Sequence, residues 1–512
     1  MADLLAAVTA TPHRINYQEN GVIIGLNNEQ LMEIKEQAIA YAAAHGLLVS
    51  WRDPNKPQEM TRAFIHIPFC LLPVQFSRKQ FEFGIELSPI YGRLVDRVSR
   101  DVEWLHHCVQ SVVAEDAFTG RLLQLSRQVQ NEGVQQQVYL GIHRSDYMLH
   151  ETQADVPSVS QRLLQVELNT IASSFACISS LVSGMHSFLL NRFGDIPALE
   201  KHYGIAFSDY SKGLPQNDAI LELPNALAAA HKHYGVKNAV IMFVVQPNET
   251  NAIDQRWLEY NLWEHHGIRV LRRSLTQMDA CGNLVERNGK RTLVLDGCEV
   301  AVAYFRSGYT PNDYPTEQEW AGRTIIERSY AIKCPSIAYH LAGTKKVQQV
   351  LSQPAVLRRF VSENEALQLE RSFAGLYGLE KHAPTVEDVK KMAIMNPHSY
   401  VLKPQREGGG NNLYGDDIAS AIEKMSPGEL ESFILMERIF PKENPAVLVR
   451  NNFASSGYTI SELGMFVTCL FDGEGKEILN KHAGHLLRTK LSGTDEGGVA
   501  TGFSVVSSPL LI

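Results

Sequence analysis

An arginine and a glutamate stand directly before three consecutive glycines in residues 401–415, VLKPQREGGGNNLYG, and a lysine lies three residues before the arginine. A triple glycine lets backbone N–H groups approach an anion closely, as they do in phosphate-binding loops. Lys403 can neutralise phosphate charge, and Glu407 can hold a divalent cation. The segment lacks the Gly-Lys-Ser/Thr ending of a Walker A loop, so a nucleotide site here must belong to another fold. The alternative interpretation is a flexible surface loop flanked by ordinary charges.

A carboxylate also stands inside a predicted buried strand, residues 163–168. Burying the charge of Glu167 in an apolar strand is costly unless the carboxylate is paired or bound to a cation. Asn169 lies two residues further on and points to the same side of the strand. Oxygen ligands of this kind suit Mg²⁺. These residues alone also allow a solvent-facing edge strand without a metal.

A second glycine-rich loop, residues 497–502, follows two further cations, Arg488 and Lys490. Two glycine loops, buried carboxylates and scattered lysines predict phosphate chemistry with mobile lids, because phosphoryl transfer mostly needs positioning and charge neutralisation. His482 and His485 are three residues apart, but no further cysteine or histidine ligand is near them in sequence. We therefore predict no zinc site here.

Length and composition are those of an ordinary globular protein of 512 residues, 44% hydrophobic and 20% charged. The length fits about three domains or one multi-lobed enzyme. The net charge of −8, without a lysine/arginine block, argues against nucleic acid as the main partner. We expect no signal peptide and no membrane span, because the N-terminal segment lacks a basic start and the apolar runs are short. Seven scattered cysteines without a CxxC predict reduced, mostly buried thiols in a cytoplasmic protein.

The elements that would position these residues begin with helices. Helical spacing of apolar residues predicts three of them, over residues 28–46, about 91–113 and 118–131. His106 and His107 fall in the second helix, and we interpret them as surface or core histidines. Two short strands follow, residues 138–142 and 163–168.

From about residue 225 the pattern changes to strands alternating with helices, which predicts a parallel α/β lobe over residues 236–340. Its predicted elements are helices 226–234 and 255–266 and strands 239–245, 268–271 and 300–305. Ligands of such sheets lie beyond the carboxyl ends of the strands, here at residues 246–255 and 306–309. Arg306, directly after a buried strand, can clamp a carboxylate with two hydrogen bonds.

Three segments after this lobe combine charge with apolar sequence. Residues 343–349, GTKKVQQ, stand where a helix begins. The predicted strand 433–439, FILMERI, can supply an apolar adenine pocket, as any core strand can. The predicted strand 458–466 places Glu462 in another apolar setting.

Seven blocks of sequence resemble the family of eukaryotic glutathione synthetases. They are GIHRSDYM (141–148), QVELNTIASSF (165–175), AYFRSGYTP (303–311), ERSYAIKCP (327–335), LAGTKKVQQ (341–349), VLKPQREGGGNNLYG (401–415) and NKHAGHLLRTK (480–490). The likeness runs in order from about Asn28 to the C-terminus. It implies an α/β, multi-lobed ATP-grasp fold with an inserted parallel α/β substrate-binding lobe and a helical N-terminal part.

The resemblance also gives names to three parts of the chain. Residues 1–235 would form the helical N-terminal region and part of the ATP-grasp core. Residues 236–340 would form the substrate-binding lobe, and residues 341–512 the ATP-grasp region with its glycine-rich and alanine-containing lid loops.

The activity implied by the resemblance is that of an ATP-dependent carbon–nitrogen ligase, a homodimer with two Mg²⁺ ions per subunit. Its substrates would be γ-glutamylcysteine, glycine and ATP. ATP would phosphorylate the cysteinyl carboxylate of the dipeptide. The amine of glycine would then attack the acyl phosphate, giving glutathione, ADP and phosphate.

Carried over residue by residue, the resemblance assigns three sets of contacts. The implied magnesium ligands are Glu167, Asn169 and Glu407. The implied ATP contacts are Glu167, Lys345, Lys403, Gln405, Arg406, Glu407, Gly408, Gly409, Gly410, Asn411, Asn412, Tyr414, Met436, Glu437, Arg438, Ile439, Glu462, Lys490 and Glu496. The implied peptide-substrate contacts are Arg144, Ile171, Ala172, Ser173, Ser174, Glu249, Asn251, Gln255, Arg306, Ser307, Gly308, Tyr309, Arg488, Val499 and Ala500. Arg144 and Arg488 have the chemistry to neutralise the attacked carboxylate and its transition state, and the choice between them stays open.

Four positions depart from the pattern of the animal members. Arg438 replaces a lysine, Ser307 and Glu496 each replace an aspartate, and Ala176-Cys177 replaces two glycines. None of these changes removes a charge needed for metal or phosphate. We expect Arg438 to reshape the adenine pocket slightly.

Two alternative functions stay open. One is a ligase of the same mechanism that uses β-alanine and makes homoglutathione, although Val499-Ala500 keeps the small residue expected for glycine. The other is a non-catalytic ATP-binding scaffold on the same fold, although the carboxylates and lysines such a protein would be expected to lose are all present.

Overall fold

The computed structural model describes residues 24–51, 63–151, 161–381, 385–405, 411–494, 497, 499 and 502–512. Its first helices are α1 (Asn28–Ala44), α2 (Arg78–Arg100), α3 (Val102–Gln110) and α4 (Ala117–Glu132). Asn27 and Gln30 form a capping box at the start of α1, which buries Ile34, Ala38 and Ala42 as the spacing predicts. Helix α4 ends at Gly133, whose positive φ of 84° suits a glycine stop, as predicted.

The single helix predicted over residues 91–113 is wrong in both extent and continuity. Helix α2 already begins at Arg78, and the helical conformation is interrupted at Asp101 before α3 starts. The Asp101 side chain accepts the backbone N–H of Trp104 and so caps the new helix. Apolar residues keep their helical spacing across the break, which is why periodicity alone hides it.

A seven-stranded sheet forms the centre of the molecule. Its order is β17-β3-β20-β19-β18-β5-β6, all neighbours being antiparallel except β3 and β20. The strands are β3 (Phe69–Cys70), β5 (Tyr139–Glu151), β6 (Gln161–Asn169), β17 (Asn444–Arg450), β18 (Phe453–Phe471), β19 (Glu477–Leu491) and β20 (Val505–Ser507). The strand predicted over residues 138–142 is too short, because β5 runs for 13 residues. It stays paired along its length with β18 and β6, which supply the ladder partners that its charged residues need.

Both faces of this sheet are buried. Leu463 and Met465 of β18 belong to the core shared with α2, whereas Phe466 and Leu470 belong to the opposite core. The second core also contains residues from α5 (Ala176–Phe193) and α8 (Ala219–Tyr234). The alternation of side chains along a strand explains how one segment serves two cores.

The middle of the chain forms the predicted parallel α/β lobe. Strands β8 (Val270–Arg273), β7 (Val240–Val244), β11 (Cys298–Phe305) and β12 (Ile332–Cys334) run parallel, and β7 is buried throughout. The helices of this region are α9 (Ala252–His266), α10 (Leu275–Cys281) and α11 (Glu317–Glu327). The sequence reading missed the antiparallel extension by β9 (Gly282–Arg287) and β10 (Lys290–Leu295).

A four-stranded antiparallel sheet lies between the lobe and the long strands β18 and β19 in sequence. Its order is β13-β16-β14-β15, from β13 (Leu376–Gly378), β14 (Tyr400–Pro404), β15 (Leu413–Tyr414) and β16 (Phe433–Glu437). It has an apolar core of its own with α16 (Val386–Met395) and α17 (Asp416–Lys424). The first glycine loop connects β14 to β15, so both of its ends start from a packed sheet.

The remaining elements connect these units. They are β1 (Leu48–Ser50), β2 (Phe64–His66), β4 (Val74–Phe76), β21 (Pro509–Leu511), α6 (Pro197–Tyr203), α7 (Tyr210–Gly213), α12 (Ile337–Ala342), α13 (Lys345–Leu351), α14 (Pro354–Phe360), α15 (Glu363–Glu370) and α18 (Pro427–Glu431), with 3₁₀ turns at Phe207–Asp209, Pro311–Asp313 and Pro397–Ser399. Helix α13 begins at Lys345, as predicted.

The seven cysteines are free thiols, and five of them are buried, as the sequence predicts. Cys281 is exposed and Cys298 is partly buried. Among the helices of the described ranges, none has both the length and the apolar character that crossing a membrane requires.

Candidate active site

A cavity of about 480 Å³ lies between the seven-stranded and four-stranded sheets. Strands β5, β6, β18 and β19 contribute one wall, and β14 and β16 contribute the facing wall. The structure brings most of the predicted site residues to it: Arg144, Glu167, Asn169, Ile171, Ala172, Ser173, Ser174, Tyr309, Lys345, Lys403, Gln405, Asn411, Asn412, Tyr414, Met436, Glu437, Arg438, Ile439, Glu462, Arg488, Lys490 and Val499.

The other predicted residues fall into two groups. Six are described but lie outside the cavity wall: Glu249, Asn251, Gln255, Arg306, Ser307 and Gly308. Seven lie outside the described residues, namely Arg406, Glu407, Gly408, Gly409, Gly410, Glu496 and Ala500. Their assignments stay predictions.

Two arginines of the cavity wall, the buried Arg144 and the partly buried Arg488, meet at one carboxylate behind that wall. Arg144 donates two hydrogen bonds to Asp146, Nε to Oδ1 at 2.6 Å and Nη2 to Oδ2 at 2.8 Å. Arg488 Nη2 donates to Asp146 Oδ2 at 3.0 Å and also to Glu462. Asn169 Nδ2 donates to the same Oδ2 at 3.0 Å. Asp146 thus fixes both guanidinium groups, and its own side chain is fully buried.

The pKa values of the cavity residues Glu167 and Glu462 are shifted in opposite directions. Burial raises the pKa of Glu167, but Lys345, Lys403 and the two arginines outweigh burial and hold that pKa below its usual range. Burial raises the pKa of Glu462, an effect that Arg488 only partly offsets. Burial acts to lower the pKa of Arg488, but the adjacent carboxylates raise it above its usual value. The guanidinium therefore stays charged, ready to hold an anion.

A glycine in β18 makes this arrangement possible. Gly464 pairs with Asp146 across the β18–β5 ladder. A Cβ at position 464 would come within 2.7 Å of Arg144 Cδ and 2.8 Å of Asp146 Oδ1. Any side chain here would displace the ion pair, so the close approach requires glycine.

The loop between β6 and α5 is held in an unusual backbone conformation. Ala172 and Phe175 have positive φ angles of 53° and 67°, which L side chains rarely adopt. Asp254 accepts the backbone N–H groups of Phe175 and Cys177 at 2.9 and 3.0 Å. A carboxylate at the start of a helix is favoured by the exposed N–H groups there.

The same loop is also held by two of the predicted arginines. Arg306 Nη1 donates to the Ser173 carbonyl at 2.6 Å, and Arg144 Nη1 donates to the Ser174 carbonyl at 3.2 Å. Arg306 therefore acts on the cavity through Ser173, although it lies behind the wall.

Glu249, Asn251 and Gln255 form a connected group behind this loop. Glu249 accepts the Asn251 backbone N–H at 2.7 Å and Gln255 Nε2 at 3.0 Å. Gln255 Oε1 accepts from Arg272 Nη2 at 2.7 Å. Within the described residues, the buried atoms Asn251 Oδ1 and Arg306 Nε have no hydrogen-bond partner. Buried polar atoms left in this way fit a polar ligand nearby.

The facing wall combines a cation with an apolar patch. Lys403 Nζ donates to the Val166 carbonyl at 2.9 Å, which joins β14 to β6. Met436 and Ile439 are buried in a small apolar cluster with Leu164. The side chain of Glu437 accepts from Tyr377 Oη at 2.7 Å. An apolar surface beside cations suits the base and the phosphates of a nucleotide.

The oxygen atoms available beside Lys345 fit a hard divalent cation. Glu167 supplies a carboxylate and Asn169 a carboxamide oxygen, and Lys345 Nζ lies 3.7 Å from Glu167 Oε2. In the described part of the chain, no three His, Cys, Asp or Glu side chains are grouped as a metal site. Mg²⁺ needs no such group, because it commonly takes one or two carboxylates together with phosphate oxygens and water.

Sequence reasoning missed two residues of this site, Asp146 and Asp254. Asp146 had one usable signal: it stands two residues after Arg144 in a strand, so the two side chains share a face. Asp254 had no such signal, because it acts on a loop almost 80 residues earlier in the chain.

Comparisons with known proteins agree on one family. The family model described as "Eukaryotic glutathione synthase, ATP binding domain" matches residues 28–511. A glutathione synthetase of Dictyostelium discoideum is 41% identical over 490 residues, which cover 94% of this chain and 99% of that protein. The Homo sapiens glutathione synthetase is 37% identical over 488 residues, covering 94% of this chain and 97% of that protein.

A solved structure with the same fold is that of a glutathione synthetase-like effector from Globodera pallida in its apo form. It superposes with a TM-score of 0.74 and covers 97% of this chain and 100% of the effector, with 23% sequence identity. At that identity the likeness concerns the fold alone.

Proposed function

The chain belongs to the eukaryotic glutathione synthase family, and we propose that it joins γ-glutamylcysteine to glycine in an ATP-dependent ligation that yields glutathione, ADP and phosphate. The observation that carries this proposal is the pair Arg144 and Arg488, which line the cavity and are held together by the buried Asp146. Two fixed guanidinium groups suit a substrate that first presents a carboxylate and then an acyl phosphate.

In the first step, an oxygen of the cysteinyl carboxylate attacks the γ-phosphorus of ATP, and the bond from that phosphorus to the β-γ bridging oxygen breaks. Lys345 and Lys403 lie where they can neutralise phosphate oxygens. Arg144 and Arg488 hold the carboxylate in position.

In the second step, the amine of glycine attacks the carbonyl carbon of the acyl phosphate. The C–N bond forms, the C–O bond to phosphate breaks, and the amine releases a proton. Closure of the loops at residues 406–410 and 497–502 would exclude water, which otherwise hydrolyses the acyl phosphate.

We propose that Glu167, Asn169 and Glu407 hold Mg²⁺, with two ions per subunit, which would neutralise the phosphate oxygens of ATP. The support is the oxygen chemistry of these side chains and the place of Glu167 beside Lys345 and Lys403. Glu407 lies outside the described residues, and its part in the set rests on the resemblance. The adenine would lie on Met436 and Ile439, near Arg438 and Tyr414.

The reaction is tested by ADP release from purified protein with ATP, Mg²⁺ and γ-glutamylcysteine. Three samples differ in the acceptor: glycine, β-alanine or neither. We expect turnover that requires the dipeptide and prefers glycine. A preference for β-alanine would keep the mechanism and change the product to homoglutathione. ATP binding without turnover would instead support the scaffold function and overturn the proposal.

The metal ligands are tested separately with the variant E167Q. Because the amide cannot replace the carboxylate charge, we expect the Mg²⁺ concentration for half-maximal ATP binding to rise about tenfold. Calorimetric titration of ATP at several Mg²⁺ concentrations measures this without turnover. The control is E299Q, which removes a strand carboxylate that pairs with Arg287 away from the cavity. Equal Mg²⁺ dependence in both variants would contradict the assignment.

We further propose that the protein is a homodimer and that α9 contributes to the contact between subunits. Tyr260 and Trp263 are 50% and 63% exposed, and their spacing of three residues puts both rings on one face of the helix. Large exposed aromatic side chains are enriched in protein interfaces.

Sedimentation equilibrium of W263E tests this contact. We expect the wild type to sediment as a dimer and W263E to shift towards the monomer. The matched control, F453E, alters a ring that is 79% exposed elsewhere on the surface, and it should stay dimeric. A monomeric wild type would refute the dimer, and an unchanged W263E would remove α9 from it.

The cytoplasmic location and the division at residues 235 and 340 stay predictions. The buried free thiols support the first. The separate parallel sheet between residues 240 and 334 supports the second. Fractionation of cells and limited proteolysis would test them.

A further inference from the structure

The carboxylate of Asp313 accepts hydrogen bonds from the backbone of the loop that follows β11. Its Oδ2 accepts three successive backbone N–H groups, those of Gly308 at 3.0 Å, Tyr309 at 3.1 Å and Thr310 at 3.2 Å. Successive N–H groups that converge in this way form a nest for an anion. Here the protein's own carboxylate occupies the nest.

The second oxygen of the same carboxylate binds two side chains from the surroundings. Asp313 Oδ1 accepts Gln246 Nε2 at 2.7 Å and Ser307 Oγ at 3.1 Å. Gln246 follows β7, and its Nε2 also lies 3.3 Å from Tyr309 Oη. Asp313 therefore joins the ends of two parallel strands and both the backbone and the hydroxyl of Tyr309.

The opposite side of the loop is fixed by Tyr314. Its hydroxyl donates to the Gly308 carbonyl at 3.2 Å. Gly308 has a φ of 90°, and a Cβ on it would lie 2.8 Å from Tyr314 Oη. The loop thus has one conformation that satisfies both Asp313 and Tyr314, and it requires glycine at position 308.

This conformation determines where two predicted substrate-binding residues lie. Tyr309 lines the cavity, and Arg306 holds the Ser173 carbonyl in the cavity wall at 2.6 Å. A shift of the loop by a few tenths of an ångström would move the ring of Tyr309 and loosen the hold on Ser173. Small displacements of positioning groups can weaken binding strongly.

We propose that Asp313 is a positioning residue for the peptide substrate, acting through Tyr309 and Arg306. This inference rests on the ligase function proposed above. Capping of the short 3₁₀ turn Pro311–Asp313 explains only the bond to Thr310. It does not explain the bonds to Gln246, Ser307, Gly308 and Tyr309.

The variant D313A tests the proposal through the Michaelis constants of the separate substrates. We expect the KM for the dipeptide to rise about tenfold, as the loss of well-aligned contacts implies, while the KM for ATP changes less than about twofold. D313N keeps one acceptor oxygen, so its KM for the dipeptide should rise less. If D313A fails to fold, D313N provides the same comparison.

The matched control is E319A. Glu319 caps α11 by accepting the Thr316 backbone N–H at 2.9 Å, and it lies in the same lobe but outside the cavity wall. It should lose thermal stability without a change in either KM. A purely structural role for Asp313 predicts that D313A behaves like E319A, and that result would overturn the proposal.

A second-site test uses Ser307, whose Oγ lies 3.1 Å from Asp313 Oδ1. S307D places a second carboxylate against Asp313, and like charges this close repel. We expect S307D alone to raise the KM for the dipeptide, and S307D/D313N to have a lower KM than S307D. Strictly additive effects would argue against the proposal.

The failure of this inference is distinguishable from the failure of the proposed function. A wild type that consumes no ATP with the dipeptide and glycine refutes the function itself. A wild type that ligates, with D313A and D313N unchanged in the KM for the dipeptide, refutes only the role of Asp313.

Discussion

Two clusters of charged side chains occupy different parts of this molecule. The cavity cluster consists of Arg144, Asp146, Glu167, Glu462 and Arg488, drawn from four strands of the central sheet. The lobe cluster consists of Arg323 and Glu327 of α11 and Lys333 of β12. The lobe cluster is fully buried, as are Arg144 and Asp146. The side chains of Glu167, Glu462 and Arg488 are 26%, 18% and 16% exposed.

The lobe cluster is held by contacts away from the cavity. Arg323 pairs with Glu327 one helical turn later, Nη2 to Oε1 at 2.8 Å, and its guanidinium lies 3.9 Å from the ring centre of Phe305. Lys333 Nζ donates to the Ser329 carbonyl at 2.9 Å. None of these three residues lines the cavity. We interpret the cluster as structural, holding the last strand of the parallel sheet to α11.

The cavity cluster differs because its charges face a space large enough for a ligand. Its members come from positions 144 to 488, so folding brings together groups that no local motif connects. Two guanidinium groups share one fully buried carboxylate, and both line the cavity where another anion can bind. A functional site is therefore marked by charges that converge on a cavity, rather than by buried charge alone.

The largest expected effect comes from breaking each cluster at its shared carboxylate. D146N should lower kcat about 100-fold or more, because Arg144 and Arg488 lose their common anchor. It should also lower the free energy of unfolding by about 3 kcal/mol, since the buried Arg144 loses its ion-pair partner and Arg488 keeps only Glu462. ADP release and urea unfolding measure the two quantities.

The matched variant in the lobe cluster is E327Q. It should destabilise the protein by a similar amount, about 3 kcal/mol, and leave kcat per folded molecule within about twofold of wild type. The comparison fails if D146N keeps full turnover or if E327Q loses it while folded.

A smaller effect is expected in the pH dependence of the free energy of unfolding. Burial lowers the pKa of Lys333 to about 8, and Arg323 adds to this lowering while Glu327 opposes it. Below pH 8 the lysine is charged in both states, and the folded state carries the cost of burying that charge. Between pH 8 and the usual lysine pKa of 10.5, only the unfolded chain keeps the proton. The wild type therefore becomes more stable relative to K333M as pH rises.

Urea unfolding of wild type and K333M at pH 7 and pH 9.5 measures this difference. We expect the free energy of unfolding of the wild type, relative to K333M, to rise by about 2 kcal/mol between the two pH values. A constant difference would mean that Lys333 does not titrate in this window.

The smallest expected effect concerns the adenine side of the cavity. The guanidinium of Arg438 lies 5.8 Å from the ring centres of both Tyr414 and Phe440. R438K should weaken these contacts by about 0.5 kcal/mol and raise the KM for ATP about twofold. The KM for the dipeptide serves as the internal control and should not change. A rise in both constants would mean that Arg438 acts beyond the nucleotide.

Local patterns predicted those parts of the fold that local physics determines. The spacing of Ile34, Ala38 and Ala42 specified α1, and the apolar run of β7 specified a strand buried on both faces. The spacing of apolar residues did not predict the interruption at Asp101, because a single capping side chain starts a new helix there without changing that spacing. The charged part of β5 was not predicted as a strand either, since its extended conformation depends on pairing with β6 and β18.

The site residues differ in the same way: some were predicted from the local sequence and others were not. Glu167, Asn169 and Lys403 drew attention because charged and amide groups beside apolar strands are costly unless they are used. Asp313 and Asp254 drew none, because their roles consist of hydrogen bonds to loops whose shape the sequence does not reveal. The glycine loop at residues 406–410, which suggested a nucleotide first, lies outside the described residues, and its role stays a prediction.

The position of β20 has a consequence for how the protein is made in the cell. Val506 lies opposite Arg488 on one side and pairs with Phe69 on the other, so positions more than 400 apart must meet to complete the sheet. During synthesis, β3 and β19 leave the ribosome before this strand exists to join them. A growing chain therefore exposes unpaired sheet edges until residue 507 has emerged. We expect chaperones to bind it during that interval, and the enzyme to acquire its arginine pair in the last stage of folding.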